Sequence, residues 1–241
     1  MNSSKDKINL IKKNISNLCC NVEKFSLDFT FLIERGFRSI LAVGLNNFFE
    51  NSKEFQNTYL FAEPLMNEGY ADICIPIHHK KNLYIECKMW TNASIIIDAF
   101  CQLITYTSHR TNDDELVIII FRNKHLIRQL NKKTEKEYKE ALVEARNDNV
   151  VKIRDNINEW LSQQKISKVI EDFNQKNNYE WEFGIINKKT EKPVKITLFM
   201  CHCPVQNHFK CKNCNKMFEL QKPKREVCST CHDKKNQTIK Q

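Results

Sequence analysis

Residues 116–121 read Leu-Val-Ile-Ile-Ile-Phe, a run of six consecutive apolar side chains. Neighbouring side chains of a β-strand point to opposite faces of its sheet, so a strand with no polar position must be covered on both faces. Such a run is typical of a strand in the interior of a sheet that packs against other elements on each side. It favours an α/β fold, in which helices supply that cover.

Hydrophobic periodicity predicts those helices and the remaining strands. The first half of the chain has the order helix, strand, strand, strand, helix, strand, and a polar stretch at residues 78–81 suits a hairpin turn. We expect helices over 5–20, 29–49, 93–109, 131–148 and 155–177, and strands over 58–61, 70–77, 82–87, 116–121, 179–186 and 194–200. The fold class that follows is α/β with a mixed sheet.

The composition changes after Cys203-Pro204, where we place a domain boundary. The expected organisation is a helical lead-in over 1–27, a main domain over 28–203 and a small module with a basic tail over 204–241. Of the net charge of +9, that module carries +6, from nine Lys and Arg against three Asp and Glu. A basic segment of this kind favours a polyanion such as nucleic acid as partner, although it could also be a solubilising tail.

Two kinds of segment are missing from the sequence. The N-terminus lacks a signal-peptide core, and no apolar run approaches the length of a membrane span. We therefore expect a soluble intracellular protein with no membrane partner, located in the cytoplasm or nucleoid, or in the nucleus of a eukaryote.

An acidic residue and an acid–lysine pair lie on the two strands of the predicted hairpin. Glu86 and Lys88 are two residues apart and share one face of their strand, while Asp72 belongs to the preceding strand. Two neighbouring carboxylates repel each other unless a cation lies between them, and Mg²⁺ or Mn²⁺ is the natural candidate. Lys88 could then orient an attacking water. The alternative is a strand end whose charged residues are simply solvated.

Asp72 and the Glu86-Cys87-Lys88 triplet, in this order of elements, resemble the PD-(D/E)xK nuclease superfamily over residues 28–123. The resemblance implies a restriction endonuclease-like core in which Asp72 and Glu86 bind the metal and Lys88 lies beside the water. It also implies an acidic residue from the first helix, for which Glu34 is the candidate. Ala71 stands where the motif has Pro.

The second predicted helix adds a weaker match to the same superfamily. Gln102 and Tyr106 fit a Gln-x-x-x-Tyr element of its RecB-like members, and Asp98 precedes them by one helical turn. This match makes Gln102 a candidate catalytic residue. A polar face on a surface helix is the other interpretation.

Two C-x-x-C pairs, separated by 13 residues, lie in the C-terminal module; their members are Cys211, Cys214, Cys228 and Cys231. Four thiolates in tetrahedral array fit Zn²⁺, and the segment resembles a zinc ribbon. Its cations would contact phosphates and include Lys212, Lys216, Lys222, Lys224 and Arg225. A ribbon that contacts only protein is the alternative. Cys201, Cys203 and His208 could offer a second metal site, but buried thiols are the better interpretation.

These features lead to two main hypotheses of function. The first is a Mg²⁺-dependent nuclease that hydrolyses phosphodiester bonds, with DNA as the favoured substrate. It would act as an endonuclease rather than an exonuclease, and a homodimer is one arrangement open to it. The second is a non-catalytic nucleic-acid-binding or assembly protein on a nuclease-like scaffold. A zinc deaminase or redox enzyme fits less well, because four Cys leave no open position on the zinc.

Overall fold

The computed structural model describes residues 4–24, 34–63, 65–66, 69–78, 81–107, 115–122, 135–164, 167–187, 192–202, 208–210, 213–214 and 217–219. The described helices are α1 (Ser4–Lys24), α2 (Glu34–Glu50), α3 (Ile95–Thr107) and α4 (Glu135–Gln164), with a short 3-10 turn at Lys53–Phe55. The described strands are β1 (Phe61–Ala62), β2 (Leu65–Met66), β3 (Gly69–Tyr70), β4 (Ile73–His78), β5 (Lys81–Met89), β6 (Glu115–Arg122), β7 (Ser167–Gln175), β8 (Glu180–Asn187), β9 (Lys192–His202), β10 (His208–Lys210) and β11 (Met217–Glu219).

Seven strands form one mixed sheet in the order β1-β4-β5-β6-β9-β8-β7. The central strand β6 runs parallel to both β5 and β9, and the outer pairings are antiparallel. The apolar run at 116–121 is therefore an interior strand, as predicted. The mixed α/β class inferred from the sequence is confirmed.

Both faces of the sheet are covered by helices. Helices α1 and α2 pack on one face, where Ile11 and Leu41 lie in a core with Val117 and Ile119 of β6; we call this the α1–α2 core. On the other face, Phe100 of α3 and Ile153 of α4 share the α3–α4 core with the alternating residues Ile118 and Ile120. Burying a side chain of this size stabilises the fold by roughly 1.5–3 kcal/mol, so β6 anchors both layers.

Helices α1 and α2 approach each other closely at Gly44. A Cβ at this position would lie 2.6 Å from the Cδ2 atom of Leu18. The absence of a side chain at residue 44 therefore lets α2 pack against α1 at this distance.

The second half of the chain differs from expectation in one element. Residues 155–177 were expected to form a helix, but a single long helix occupies Glu135–Gln164 and residues 167–175 form the edge strand β7. Val169, Ile170 and Phe173 fit a helical stripe and also suit a strand. Antiparallel pairing with β8 settles their conformation, and local periodicity does not encode that pairing.

The strand expected over 58–61 is also shorter than predicted. Only Phe61 and Ala62 join the sheet, at its edge beside β4. Asn57 and Glu63 flank this segment and both adopt positive φ angles, of 68° and 50°.

The predicted first helix is confirmed as α1. Among the described helices, none is both long and apolar enough to span a bilayer. Beyond the sheet, β10 and β11 form a small antiparallel hairpin, while residues 220–241 lie outside the described residues.

Candidate active site

The predicted hairpin is formed by β4 and β5, and its register brings the candidate acids together. Ile73 pairs with Ile85 in the antiparallel ladder, so Asp72, one residue earlier, lies opposite Glu86. Ile85 and Cys87 are fully buried in the α1–α2 core, and Glu86 and Lys88 alternate with them toward the other face. Residues directly opposite in such a ladder have Cβ atoms roughly 5 Å apart, which allows two carboxylates to share a ligand.

Asp72 is held by two donors from different elements. Its Oδ2 accepts a hydrogen bond from the backbone amide of Cys87 at 2.7 Å, and its Oδ1 pairs with the guanidinium of Arg38 on α2. The same guanidinium binds Glu63 Oε1 at 2.5 Å. Asp72 is therefore a buried carboxylate with a fixed orientation.

Glu86 is more deeply buried and only half satisfied. The residue is 2% exposed, and its Oε1 accepts a hydrogen bond from Lys88 Nζ at 2.8 Å. No donor in the described part of the chain reaches its Oε2. A buried carboxylate oxygen without a partner is costly, which makes it a candidate ligand for a cation or an acceptor for an N–H or O–H group of a bound molecule.

Burial and the neighbouring charge of Asp72 raise the pKa of Glu86 from 4.5 to about 7, against the opposing effect of Lys88. Burial alone would lower the pKa of the Lys88 ammonium. The hydrogen bond and charge of Glu86 outweigh it, so that pKa is raised. Glu86 can consequently exchange a proton near neutral pH, whereas Lys88 stays charged.

The raised pKa of Glu86 predicts a pH-dependent stability. Between about pH 4.5 and 7 the folded state binds the Glu86 proton more tightly than the unfolded chain does, so stability falls as the pH rises through this window. In EDTA, we expect Glu86→Gln to unfold with a free energy about 2 kcal/mol higher than the parent at pH 8. The difference should shrink toward pH 4.5. Urea titrations of both proteins at several pH values measure it, and a difference between them that is the same at pH 5 and pH 8 would contradict the assignment.

Glu34 lies at the C-terminal end of β5. It is the first residue of α2, and its Oε2 accepts a hydrogen bond from the backbone amide of Met89 at 3.0 Å. The structure thus brings Glu34 to the end of β5 that carries Glu86 and Lys88, as the sequence suggested for an acid of the first helix. Its contact is with the backbone, one residue past Lys88.

The candidate residues of the second predicted helix make no described contact with the acids. Gln102 and Asp98 are exposed on α3, and no hydrogen bond joins Gln102 to Asp72 or Glu86 among the described residues. Tyr106 belongs to α3, but its side chain lies outside the described set.

Arg38 and Glu63 were missed by the sequence reasoning. Arg38 follows Glu34 by four residues, which places both side chains on one face of α2. That spacing was the available signal, but the contact to Asp72 depends on how α2 packs against the hairpin. Glu63 reaches the same guanidinium from the edge of the sheet.

The donor set fits a hard cation. Asp72 and Glu86 supply two adjacent carboxylates, and the Oε2 atom of Glu86 is unpaired. Magnesium is commonly held by one or two carboxylates, with water and substrate phosphate as the remaining ligands. Over the described ranges, no group of three or more His, Cys, Asp or Glu side chains is arranged to hold a metal ion. A cation here would therefore depend on ligands from water or substrate.

The C-terminal predictions lie mostly outside the described residues. Cys214 is half-buried, and the β10–β11 hairpin brackets the first C-x-x-C pair. Outside the described residues lie Cys211, Cys228, Cys231, Lys212, Lys216, Lys222, Lys224 and Arg225. Cys201 is fully buried, and its thiol lies 3.5 Å from the carbonyl oxygen of Cys19, as expected of a structural thiol.

No protein-family model matches the chain, and no match was found among curated proteins or among solved structures.

Proposed function

We propose that this protein is a metal-dependent nuclease that hydrolyses phosphodiester bonds, with DNA as the favoured substrate. The observation that carries the proposal is the register of β4 and β5, which sets Asp72 opposite Glu86 and leaves one buried carboxylate oxygen without a donor. The order of α2, the three main-sheet strands β1, β4 and β5, then α3 and β6 supports a restriction endonuclease-like core, with β2 and β3 as a separate two-stranded sheet between β1 and β4.

Each residue of the site would have a distinct task. Asp72 and Glu86 would hold Mg²⁺ or Mn²⁺, which when bound supplies Lewis-acid chemistry to a phosphate and its attacking water. Lys88, held 2.8 Å from Glu86, would orient that water and offset developing negative charge. Glu34 would fix the end of β5 through the Met89 amide, so that Lys88 keeps its direction.

The C-terminal module would add substrate affinity. We propose that Cys211, Cys214, Cys228 and Cys231 bind Zn²⁺ as a ribbon and that its cations contact phosphates. The β10–β11 hairpin supports this proposal, because the two strands that flank residues 211–216 pair with each other. The proposal keeps endonuclease rather than exonuclease action as its expectation, and a homodimer is one arrangement that it allows.

Cleavage assays test the proposal directly. Purified protein is incubated with single-stranded, duplex and branched DNA and with RNA, first with Mg²⁺ and then with EDTA. Cleavage that EDTA stops and added Mg²⁺ restores supports the nuclease. If no substrate is cut with Mg²⁺ or Mn²⁺, by protein free of host nucleases, the proposal fails.

A second function, a non-catalytic nucleic-acid-binding scaffold, is favoured by one contact. The guanidinium of Arg38 pairs with Asp72 Oδ1, and the Cys87 amide occupies Oδ2. A permanent ion pair of this kind could replace a metal and leave only a structural site. Metal binding separates the two functions, because a scaffold has no divalent affinity that depends on Asp72.

Replacing Arg38 should change the Mn²⁺ affinity by an amount that separates the two functions. If a metal binds Asp72 and Glu86, Arg38 competes with it, so Arg38→Gln should tighten Mn²⁺ binding about tenfold in isothermal titration calorimetry. Arg154→Gln is the control, because Arg154 forms an exposed ion pair with Asp155. Asp72→Asn should remove the binding. Mn²⁺ affinity that is the same in all four proteins would contradict the metal site and favour the scaffold.

A further inference from the structure

Two aromatic side chains lie exposed beside the candidate active site. Tyr59 and Phe61 are 59% and 45% exposed, and their rings meet edge to face with centroids 5.1 Å apart. Leu60 between them packs against the α1–α2 core, so the two rings project outward on the alternating positions. The two touching rings form a contiguous exposed apolar surface, and such surfaces are candidate binding sites.

The register of β1 places this pair next to the acids. Phe61 pairs with Cys74 of β4, two residues after Asp72. The backbone amide of Glu63 donates to the carbonyl of Asp72 at 2.9 Å, which continues the pairing past the end of β1. Phe61 therefore lies two residue pairs along the sheet edge from Asp72, a distance of roughly 7 Å at about 3.3 Å per residue.

The backbone holds this segment in a defined shape. Asn57 and Glu63 have φ angles of 68° and 50°, in the left-handed region that L side chains rarely adopt. Glu63 is fixed there by the hydrogen bond that its backbone amide donates to the Asp72 carbonyl and by its ion pair with Arg38. The rings are therefore presented by a short segment tied at its C-terminal end to the acid site itself.

We infer that Tyr59 and Phe61 form a stacking site for an unpaired nucleobase. Every base offers an aromatic face, but in a duplex those faces are already stacked, so rings on a protein surface favour single strands. The position beside Asp72 and Arg38 fits a strand whose phosphate lies near the acids while a neighbouring base lies on the rings. This assignment rests on the proposed function, and it makes the substrate single-stranded DNA or an unpaired segment of a larger structure.

Binding experiments test the stacking site without cleavage. A fluorescein-labelled oligothymidylate and a blunt-ended duplex of equal length are titrated with the full-length protein, with Ca²⁺ in place of Mg²⁺. We expect the double variant Tyr59→Ser, Phe61→Ser to bind the single strand about tenfold more weakly, and the duplex less than twofold more weakly. Tyr59→Phe should bind like the parent. Val43→Ser and Val151→Ser remove exposed apolar side chains from α2 and α4 and should change neither affinity.

The outcomes separate this inference from the proposed function. If the double variant binds the single strand like the parent, or loses equal affinity for both probes, the stacking site is overturned even when the parent is an active nuclease. A parent that binds no oligothymidylate overturns it as well. If the rings are needed for single-strand binding but no substrate is ever cut, the stacking site stands and the nuclease proposal fails.

Discussion

Glu86→Gln is expected to reduce Mg²⁺-dependent phosphodiester cleavage by roughly a thousandfold. The substitution preserves the size of the side chain, but an amide is a poor ligand for Mg²⁺ beside Asp72 and no longer pairs as a charge with Lys88. Because the buried charge of Glu86 costs stability above neutral pH, the variant should be folded and, in EDTA, more stable than the parent. Unfolding would therefore not explain a loss of cleavage by this variant.

Glu180→Gln is a matched control for this experiment. Glu180 lies in β8, is 8% exposed, and has its pKa raised by burial first, with the charge of Glu182 as a smaller cause. Strand β8 is separated from β5 by β6 and β9. The same chemical change in this second buried glutamate should therefore leave the cleavage rate within about twofold of the parent. Cleavage by Glu86→Gln at more than a tenth of the parent rate would contradict the assignment of Glu86 as metal ligand.

Lys12→Met is expected to lower the free energy of unfolding by about 3 kcal/mol. Lys12 on α1 is 3% exposed, and its ammonium lies 2.9 Å from Glu115 Oε2 and 3.1 Å from Glu182 Oε1. Glu182 keeps Lys176 and Lys195 as partners when Lys12 is removed. Glu115 has no second cation within the described set, so its carboxylate would be left half-buried and unpaired.

Chemical denaturation measures this effect, with Lys136→Met as the control. Lys136 pairs with Glu140 at 3.8 Å, and both side chains are mostly exposed, so its loss should cost less than about 0.5 kcal/mol. A double variant that combines Lys12→Met with Glu115→Gln should recover part of the lost stability, because it removes the unpaired charge. Equal stability of Lys12→Met and the parent would show that the three-way ion pair between α1, β6 and β8 adds nothing to the fold.

Some elements could be predicted from the sequence because their physics is local. The apolar run of β6 admits one structural role, and alternation along 82–87 placed Glu86 and Lys88 on one face of β5. The hairpin turn between two strands then made a meeting of Asp72 with Glu86 a natural expectation. For such features, the spacing of residues along the chain already contains the geometry.

Other features depend on contacts between distant segments. Arg38 reaches Asp72 because α2 packs against β5, and the near-complete burial of Glu86 depends on what covers that strand. Strand β7 was wrongly predicted as helix because its identity depends on β8, which follows it in the chain. The position of Tyr59 and Phe61 near Asp72 also depends on the pairing of β1 with β4 at the sheet edge, which the sequence does not encode locally.

The place of β6 in the sheet has a consequence for biosynthesis. Its two parallel neighbours are β5, which precedes it, and β9, which the ribosome delivers only after α4, β7 and β8. While the chain is being made, one row of backbone amides and carbonyls on the most apolar strand has no partner. Such an edge invites pairing with a neighbouring nascent chain. Folding of this sheet is therefore completed late, and a chaperone that shields β6 until Lys192–His202 has emerged would protect the protein during translation.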